Sequence, residues 1–507
     1  MFQLEGTPVD VSARRNLPRR GIGSGRSHSG GGFAPVVALV LVLATGFATD
    51  ARAVRGQGGG QDLVAVARPF FDALASGKPE QFEAMAQERF APDHLATRTP
   101  EDRKNLFQRL NEDLGMMTLA GVQNVDGERL VLTVKGSTGA TARIDLRVEP
   151  APPHRIVGIG IQVGGPGEDM DGPPPPPISG AMTRADLDRA LHAYLAARAK
   201  TDEFAGVVAI AKDGKLVFQK AYGLANRDAK MPVMVSTRFN IASIGKLFTK
   251  TAVGQLMSQG KLALSDTIGK LLPDYPNPKA HGATVEQLLN HQAGVADFFG
   301  PAFDAAPKSA FASNADYYRF VAPQPLLFDP GTQRQYCNGC YVVLGEIIAK
   351  VSGQTYEDYI TEHVFKPAGM TGAGFFRSDR LPPAVAQGYS RQLSGSKGAL
   401  QNAKDAHGVT GSAAGGCYAA AADLLAFDEA MRTGTLLDPK MTAWFLESNA
   451  PAPPGMRARG GMGFAGGAPG TNALLETDER WAVAVVGNLD PPAAVGVGLA
   501  IKRALSR

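Results

Sequence analysis

Phe239-Asn-Ile-Ala-Ser-Ile-Gly-Lys-Leu-Phe-Thr-Lys250 is the stretch from which the rest of the chain is read. A short apolar run leads to Ser243, and a long apolar-periodic segment follows it. That spacing predicts a strand delivering the serine to the first turn of a helix. Lys246 stands three residues on, and a helix puts residues i and i+3 on one face. An ammonium within reach of a serine hydroxyl matters because the hydroxyl is a weak nucleophile at its own pKa. A helix start also offers free backbone N–H groups where negative charge develops. Nucleophile, activating base and oxyanion donor then share one turn.

The motif is not unique. Ser-x-x-Lys occurs at Ser243/Lys246, Ser258/Lys261 and Ser394/Lys397. Only the first follows a strand-like approach and opens a periodic segment. Ser258-Gln-Gly-Lys261 ends that same helix at a glycine stop, and Ser394-Gly-Ser-Lys397 lies in a polar Gly/Ser-rich loop.

The 507 residues point to more than one domain. With 44% hydrophobic and 20% charged residues, the chain carries enough apolar material for a sizeable core. The net charge of +4 is small for this length and partly lies in the N-terminal leader, which argues against a nucleic-acid or polyanion surface. There is no zinc-like Cys/His cluster, no Walker loop and no Gly-x-Gly-x-x-Gly after a strand. No metal and no cofactor is therefore expected.

In chain order, residues 1–53 read as a signal peptide or signal anchor. Arg14, Arg15, Arg19, Arg20 and Arg26 form a basic region, Phe33–Ala48 an apolar run, and Ala51-Arg-Ala53 a small-x-small cleavage site. The expected destination is periplasmic or secreted, with no stable membrane insertion unless the leader stays uncleaved. Residues 54–164 read as a small α+β domain. Val64, Phe70, Phe71, Leu74, Phe82 and Met85 have helical spacing, continued by Leu106 and Leu110. Strand-like runs follow from Met117, at Leu130–Val134, Ala142–Val148 and Ile156–Val163, with turn signals at Asp126-Gly127 and Thr138-Gly139. Helices followed by a curved meander resemble folds of the nuclear transport factor 2 type. No acid/base pair stands out there, so the domain reads as a binding or packing module. Residues 165–182 are a linker around Pro173–Pro177, which is too stiff to enter a sheet.

Residues 183–507 form the large domain. Thr183-Arg-Ala-Asp186 resembles a helix start. Phe204–Ala211 and Leu216–Tyr222 flank Asp213-Gly214, a hairpin signal. Near the end, Leu474–Glu476 and Trp481–Val486 form a second hairpin, and Ala493–Leu505 a closing helix. The middle, roughly 243–430, is helix-rich. The fold class is thus α/β, an α+β sandwich: an antiparallel sheet flanked by helices, plus an all-helical lobe.

The second motif is Tyr336-Cys-Asn338, after the turn Asp329-Pro-Gly331 and before an apolar-periodic helix, Val342 to Val351. Tyr275-Pro-Asn277 has the same Tyr-x-Asn form. With Ser243-x-x-Lys246 upstream, the chain resembles the serine β-lactamase and penicillin-binding-protein superfamily. Within it, the resemblance is to class C β-lactamases and the related esterases and D-amino-acid peptidases. Leu264-Ser-Asp-Thr-Ile268, Thr284-Val-Glu-Gln-Leu-Leu-Asn-His-Gln-Ala-Gly294 and Gly415-Gly-Cys-Tyr-Ala-Ala-Ala-Ala-Asp-Leu-Leu-Ala-Phe427 extend it over residues 183–507.

The resemblance implies roles. Ser243 is expected to be the acylating nucleophile, Lys246 and Tyr336 the pair that shuttles its proton, and Asn338 the residue that orients substrate and hydrogen-bonds Lys246. The family's third element is Lys-Thr-Gly or His-x-Gly on a sheet edge, followed by an oxyanion-hole N–H. The matching stretch is Gly463-Phe-Ala-Gly-Gly-Ala-Pro-Gly470. By that resemblance Phe464 stands in the Lys/His place, Gly466 is the motif glycine, and the N–H groups of Gly467 and Ser243 are expected to form the oxyanion hole. One such donor is worth roughly 3 kcal/mol of barrier. The missing cation would meet a substrate carboxylate, so an uncharged ester or small amide or peptide becomes the expected substrate.

His291 matches a structural histidine of the family, and His407 reads as a loop histidine. No Gly-x-Ser-x-Gly elbow is present. Cys337, Cys340 and Cys417 are expected to be ordinary buried thiols, with a disulfide as the alternative that an exported protein permits and at least one cysteine free because the count is odd. The expected function is an exported serine hydrolase forming an acyl-enzyme on Ser243. The alternatives are a binding protein on a decayed enzyme scaffold, or a D-Ala-type carboxypeptidase or β-lactamase. Oligomeric state stays open.

Overall fold

The computed structural model describes residues 60–505, apart from 96–99, 101–102, 105–106, 108–109, 112–113, 125–127, 138–140, 165–175, 177, 395–397 and 448–461. The expected leader, Leu106, both turn signals of the small domain, Lys397 and most of the proline-rich linker lie outside the described residues.

Helices α1 (Gly60–Ala75) and α2 (Pro79–Arg89) precede strands β1 (Met117–Asn124), β2 (Arg129–Gly136), β3 (Thr141–Val148) and β4 (Ile156–Gly164). The strands form an antiparallel meander in sequence order. Phe70, Phe71, Leu74, Phe82 and Met85 lie at helical spacing and meet the alternating Leu130, Leu132, Val134, Ile144 and Leu146 in one core. Pro79 falls in the first turn of α2, where a missing N–H breaks no bond.

The larger part opens with α3 (Arg184–Lys200), capped by Thr183, whose hydroxyl accepts from the Asp186 N–H. Strands β5 (Gly206–Lys212) and β6 (Lys215–Tyr222) follow as a hairpin, with Asp213 and Gly214 both at positive φ. The chain then leaves the sheet for a helical lobe. Among the described residues its three longest helices are α4 (Gly245–Ser258), α5 (Asn338–Ser352) and α6 (Ala421–Arg432). It returns as β7 (Gly463–Ala468), β8 (Thr471–Thr477) and β9 (Trp481–Gly487), and α7 (Ala493–Leu505) follows. The sheet order is β7-β8-β9-β5-β6, antiparallel throughout.

Side-chain alternation divides this sheet between two cores. Val208, Ile210, Leu474, Val483 and Val485 face α3 and α7, meeting Leu191, Leu195, Val497 and Ile501. Val207, Ala209, Ala473, Leu475, Ala484 and Val486 point the other way, onto Leu247, Phe248 and Phe427 of the lobe. Strands β5 and β9 are central and covered on both faces, which is why their sequences are nearly continuous apolar runs. Each fully buried Val, Leu, Ile or Phe contributes about 1.5–3 kcal/mol. Strand β7 is the edge on the lobe side. Phe464 pairs with Leu475 and Gly466 with Ala473, so both face the core that holds α4.

Candidate active site

Strand Phe239–Asn240 pairs with Tyr418–Ala419 and leads into a 3-10 turn, Ala242–Ile244, which runs straight into α4. Ser243 sits in that tight turn, one step before the α-helix proper. Ala242 has φ +46, a left-handed conformation costing about 1–2 kcal/mol for a residue with a Cβ. The neighbours hold it there: Asn240 Oδ1 accepts from the Ala242 N–H at 2.9 Å, and the Gly416 N–H donates to the Ala242 carbonyl at 3.1 Å. A Cβ at Gly415 would lie 2.3 Å from that carbonyl, so only glycine admits the approach.

Lys246 is 1% exposed. Its ammonium donates to Ser243 Oγ at 3.2 Å, Asn338 Oδ1 at 2.8 Å and the Ala414 carbonyl at 2.6 Å. Three donors meet three neutral oxygens, the condition for keeping a polar head buried. The ammonium also lies 4.8 Å from the Tyr336 ring centre and 5.3 Å from that of Tyr341. Tyr336 Oη is 2.7 Å from Ser243 Oγ. Ser243, Lys246, Tyr336 and Asn338 are thus brought together from two helix starts some ninety residues apart. Tyr275 is instead buried in the lobe, and Asn277 caps a short 3-10 turn.

Asp297 supplies a contact that sequence reading missed. Its Oδ2 accepts from the Asn338 side-chain amide at 2.9 Å and from the Asn338 backbone N–H at 3.2 Å. Holding the NH₂ of the amide leaves Oδ1 facing Lys246, so a carboxylate fixes which way the amide points. The signal was present: Asp297 is the one charged residue in Ala293-Gly-Val-Ala-Asp-Phe-Phe299.

His291 has φ +61 and its Nδ1 accepts from the Cys337 N–H at 3.2 Å. Its ring lies 4.8 Å from that of Tyr336 and 5.3 Å from that of Tyr341. Burial, with Lys246 and Arg334 adding to it, pulls its pKa down to about 3. His291 is therefore a neutral platform behind Tyr336 at ordinary pH. His407 contacts the Pro469 carbonyl at 2.9 Å, and burial lowers its pKa.

The cysteines correct the expectation of three free thiols. Cys337 and Cys340 form a disulfide, and only Cys417 is free. Cys337 caps α5, so positions i and i+3 come together in the first turn, with Cα atoms 5.3 Å apart. The bridge closes around Asn338 and directly follows Tyr336. Burial pushes the Cys417 thiol up to about 12.

The edge strand completes the arrangement. A Cβ on Gly466 would lie 2.2 Å from the Ile241 carbonyl and 2.9 Å from the Ser243 nitrogen. The strand is therefore pressed against the serine turn, and glycine is required for it. The Thr477 N–H donates to the Met462 carbonyl at 2.7 Å. Continuing that antiparallel alternation through the regular β7–β8 register, 464, 466 and 468 are bonded to β8, and the Gly467 N–H points off the free edge. Phe464 packs half-buried against the lobe core. Among the described residues no group of His, Cys, Asp and Glu is arranged to hold a metal ion.

Comparison with known proteins agrees with this architecture. PbpX of Bacillus subtilis (strain 168), named for penicillin binding, is 34% identical over 261 residues, 52% of this chain and 62% of PbpX. The chain thus spans less than two thirds of that relative's length. A crystal structure of a penicillin binding protein from Bacillus halodurans superposes with a TM-score of 0.55 at 26% identity, over 61% of this chain and 98% of that one. D-amino acid amidase from Ochrobactrum anthropi SV3 superposes with a TM-score of 0.53 at 25% identity, over 63% and 98%. Residues 188–506 match the family described as Beta-lactamase, and the chain belongs to that family.

Proposed function

We propose that this chain is an exported serine hydrolase that forms an acyl-enzyme on Ser243 and cleaves an ester or a small amide or peptide. One observation carries the reading: Ser243 Oγ lies within hydrogen-bond distance of both Tyr336 Oη and the Lys246 ammonium. Tyr336, acting as its phenolate, takes the proton as Ser243 attacks the carbonyl carbon. The buried Lys246 charge stabilises the phenolate side of that transfer. The N–H groups of Ser243 and Gly467 receive the oxyanion. Tyr336 returns the proton to the leaving oxygen or nitrogen, and water then releases the acyl group.

Phe464 supports an uncharged substrate. It stands where the family carries a lysine or histidine, and a phenyl ring offers a carboxylate nothing. The D-amino acid amidase among the similar structures supports amides as well as esters. Export rests on the leader composition of residues 1–53; among the described residues no helix is long and apolar enough to cross a membrane.

The test is pre-steady-state hydrolysis of p-nitrophenyl acetate beside a β-lactam and a D-alanyl dipeptide. The reading expects a burst of one nitrophenolate per active chain, abolished in Ser243→Ala, with little turnover of the carboxylate-bearing compounds. Phe464→His should raise turnover of those compounds relative to the acetate. Equal acetate rates for the wild type and Ser243→Ala refute the enzyme and favour a binding role.

A further inference from the structure

Asn472 lies on β8 opposite Gly467 and is 1% exposed. Its side chain points away from the serine turn, onto the face of the sheet that α7 covers, as that of Leu474 does two residues on. Oδ1 accepts from the backbone N–H groups of Ala494 and Val495, at 2.7 and 2.8 Å, in the first turn of α7. The first N–H groups of a helix have no partner within it, so the amide oxygen caps them. With the oxygen so engaged, the NH₂ faces the other way, and Nδ2 donates to the Gly466 carbonyl at 2.9 Å.

That carbonyl and the Gly467 N–H belong to one peptide unit. The unit is planar and trans, so the two point in opposite directions: the carbonyl towards Asn472, the N–H off the free edge of β7. Whatever fixes one fixes the other. A Cβ on Gly467 would lie 2.6 Å from Pro491 Cγ and 3.3 Å from Asn472 Nδ2, so the peptide is also backed closely on that face. A hydrogen bond accepted by a peptide carbonyl polarises the N–H of the same unit, and Asn472 is itself polarised by the helix start it caps. Its neighbour Thr471 donates to the Asn240 carbonyl, in the strand that leads to Ser243. Strand β8 thus braces both oxyanion donors.

We infer that Asn472 is a positioning residue for the oxyanion hole: it aims and polarises the Gly467 N–H through the Gly466 carbonyl, without touching the substrate. The inference rests on the acyl-enzyme reading. Its effect belongs to the moment when Ser243 attacks and the carbonyl electron pair moves onto oxygen; Asn472 itself forms and breaks no covalent bond.

Asn472→Asp separates this role from the helix cap. The aspartate keeps an oxygen for Ala494 and Val495, but at pH 8 it offers Gly466 a carboxylate oxygen in place of a donor. Asn472→Ser keeps a capping hydroxyl on a side chain one bond shorter, away from Gly466. The assay is kcat/KM for p-nitrophenyl acetate and for its thiono analogue, in which sulfur, a weak acceptor, replaces the carbonyl oxygen. The wild type should favour the oxygen ester. Each folded variant should lose about tenfold or more on that ester, against about 10²–10³ for outright removal of an oxyanion donor, and much less on the thiono ester. The ratio of the two is the readout, because loss of a cap alone would leave it unmoved. A ratio within about twofold of wild type in either folded variant overturns the inference. If wild-type Ser243 is labelled by a fluorophosphonate, the acyl-enzyme reading survives that result. A wild type that is not labelled removes the reading and the inference with it.

Discussion

Replacing Asp297 by alanine perturbs the site without touching Ser243, Lys246 or Tyr336. In the native chain the carboxylate accepts from both N–H groups of Asn338, and through Oδ1 from the Phe299 N–H at 3.0 Å. Without it, the Asn338 side chain loses the partner that anchors its NH₂ and is free to swing away from Lys246. The 2.8 Å bond from Lys246 to Asn338 Oδ1 is then lost for much of the time. A hydrogen bond to a charged group is worth about 1.5–3 kcal/mol. If the lysine is needed in place at the transition state, that converts to a fall of about 10- to 150-fold in kcat/KM. The assay is p-nitrophenyl acetate hydrolysis by folded Asp297→Ala, Asn338→Ala and the double variant. Because the two residues act in series, the double variant should be little slower than Asn338→Ala alone. Activity of Asp297→Ala within about twofold of wild type would refute this reasoning. So would fully additive losses in the double variant.

Other outcomes follow from the same geometry. His291 has a folded pKa of about 3, below its unfolded value of about 6.5. The unfolded chain then binds more protons between those values. Stability is fully present above about pH 6.5 and is lost as pH falls towards 3, by at most about 1.4 kcal/mol per pH unit from this group. Denaturant unfolding at pH 7 and pH 5 should show a drop that shrinks in His291→Phe. Gly466→Ala should abolish ester hydrolysis, because its Cβ would meet backbone at 2.2 Å, where no side chain can yield; a folded, fully active variant contradicts the close approach. Alkylation after denaturation without reductant should add one label per chain, at Cys417, and three labels after reduction; three without reductant would contradict the bridge.

Much of the fold was legible because its elements carry local signals. Asp213-Gly214 marked a hairpin, Thr183 a helix start, and the apolar runs Phe204–Ala211 and Trp481–Val486 two strands of the sheet. Ser243, Lys246, Tyr336 and Asn338 were legible as motifs, since each pair lies within one turn of chain. What the sequence hid is contact between distant segments. Nothing near Asn338 in the chain announces Asp297, and no local pattern shows that the Ala414 carbonyl takes a hydrogen bond from Lys246. The disulfide was misjudged for a related reason: Cys337 and Cys340 approach only because Cys337 caps the helix. The fit of Gly466 against the serine turn likewise depends on how an edge strand docks, which spacing alone does not encode.

The central claim is that Ser243 is the acylated residue. The most direct measurement is mass spectrometry of peptides from the protein quenched during p-nitrophenyl acetate hydrolysis or after fluorophosphonate treatment. The account predicts a single adduct on the peptide carrying Ser243, absent in Ser243→Ala and formed more slowly in Lys246→Ala and Tyr336→Phe. An adduct on any other residue, or hydrolysis with no adduct on Ser243, would contradict it.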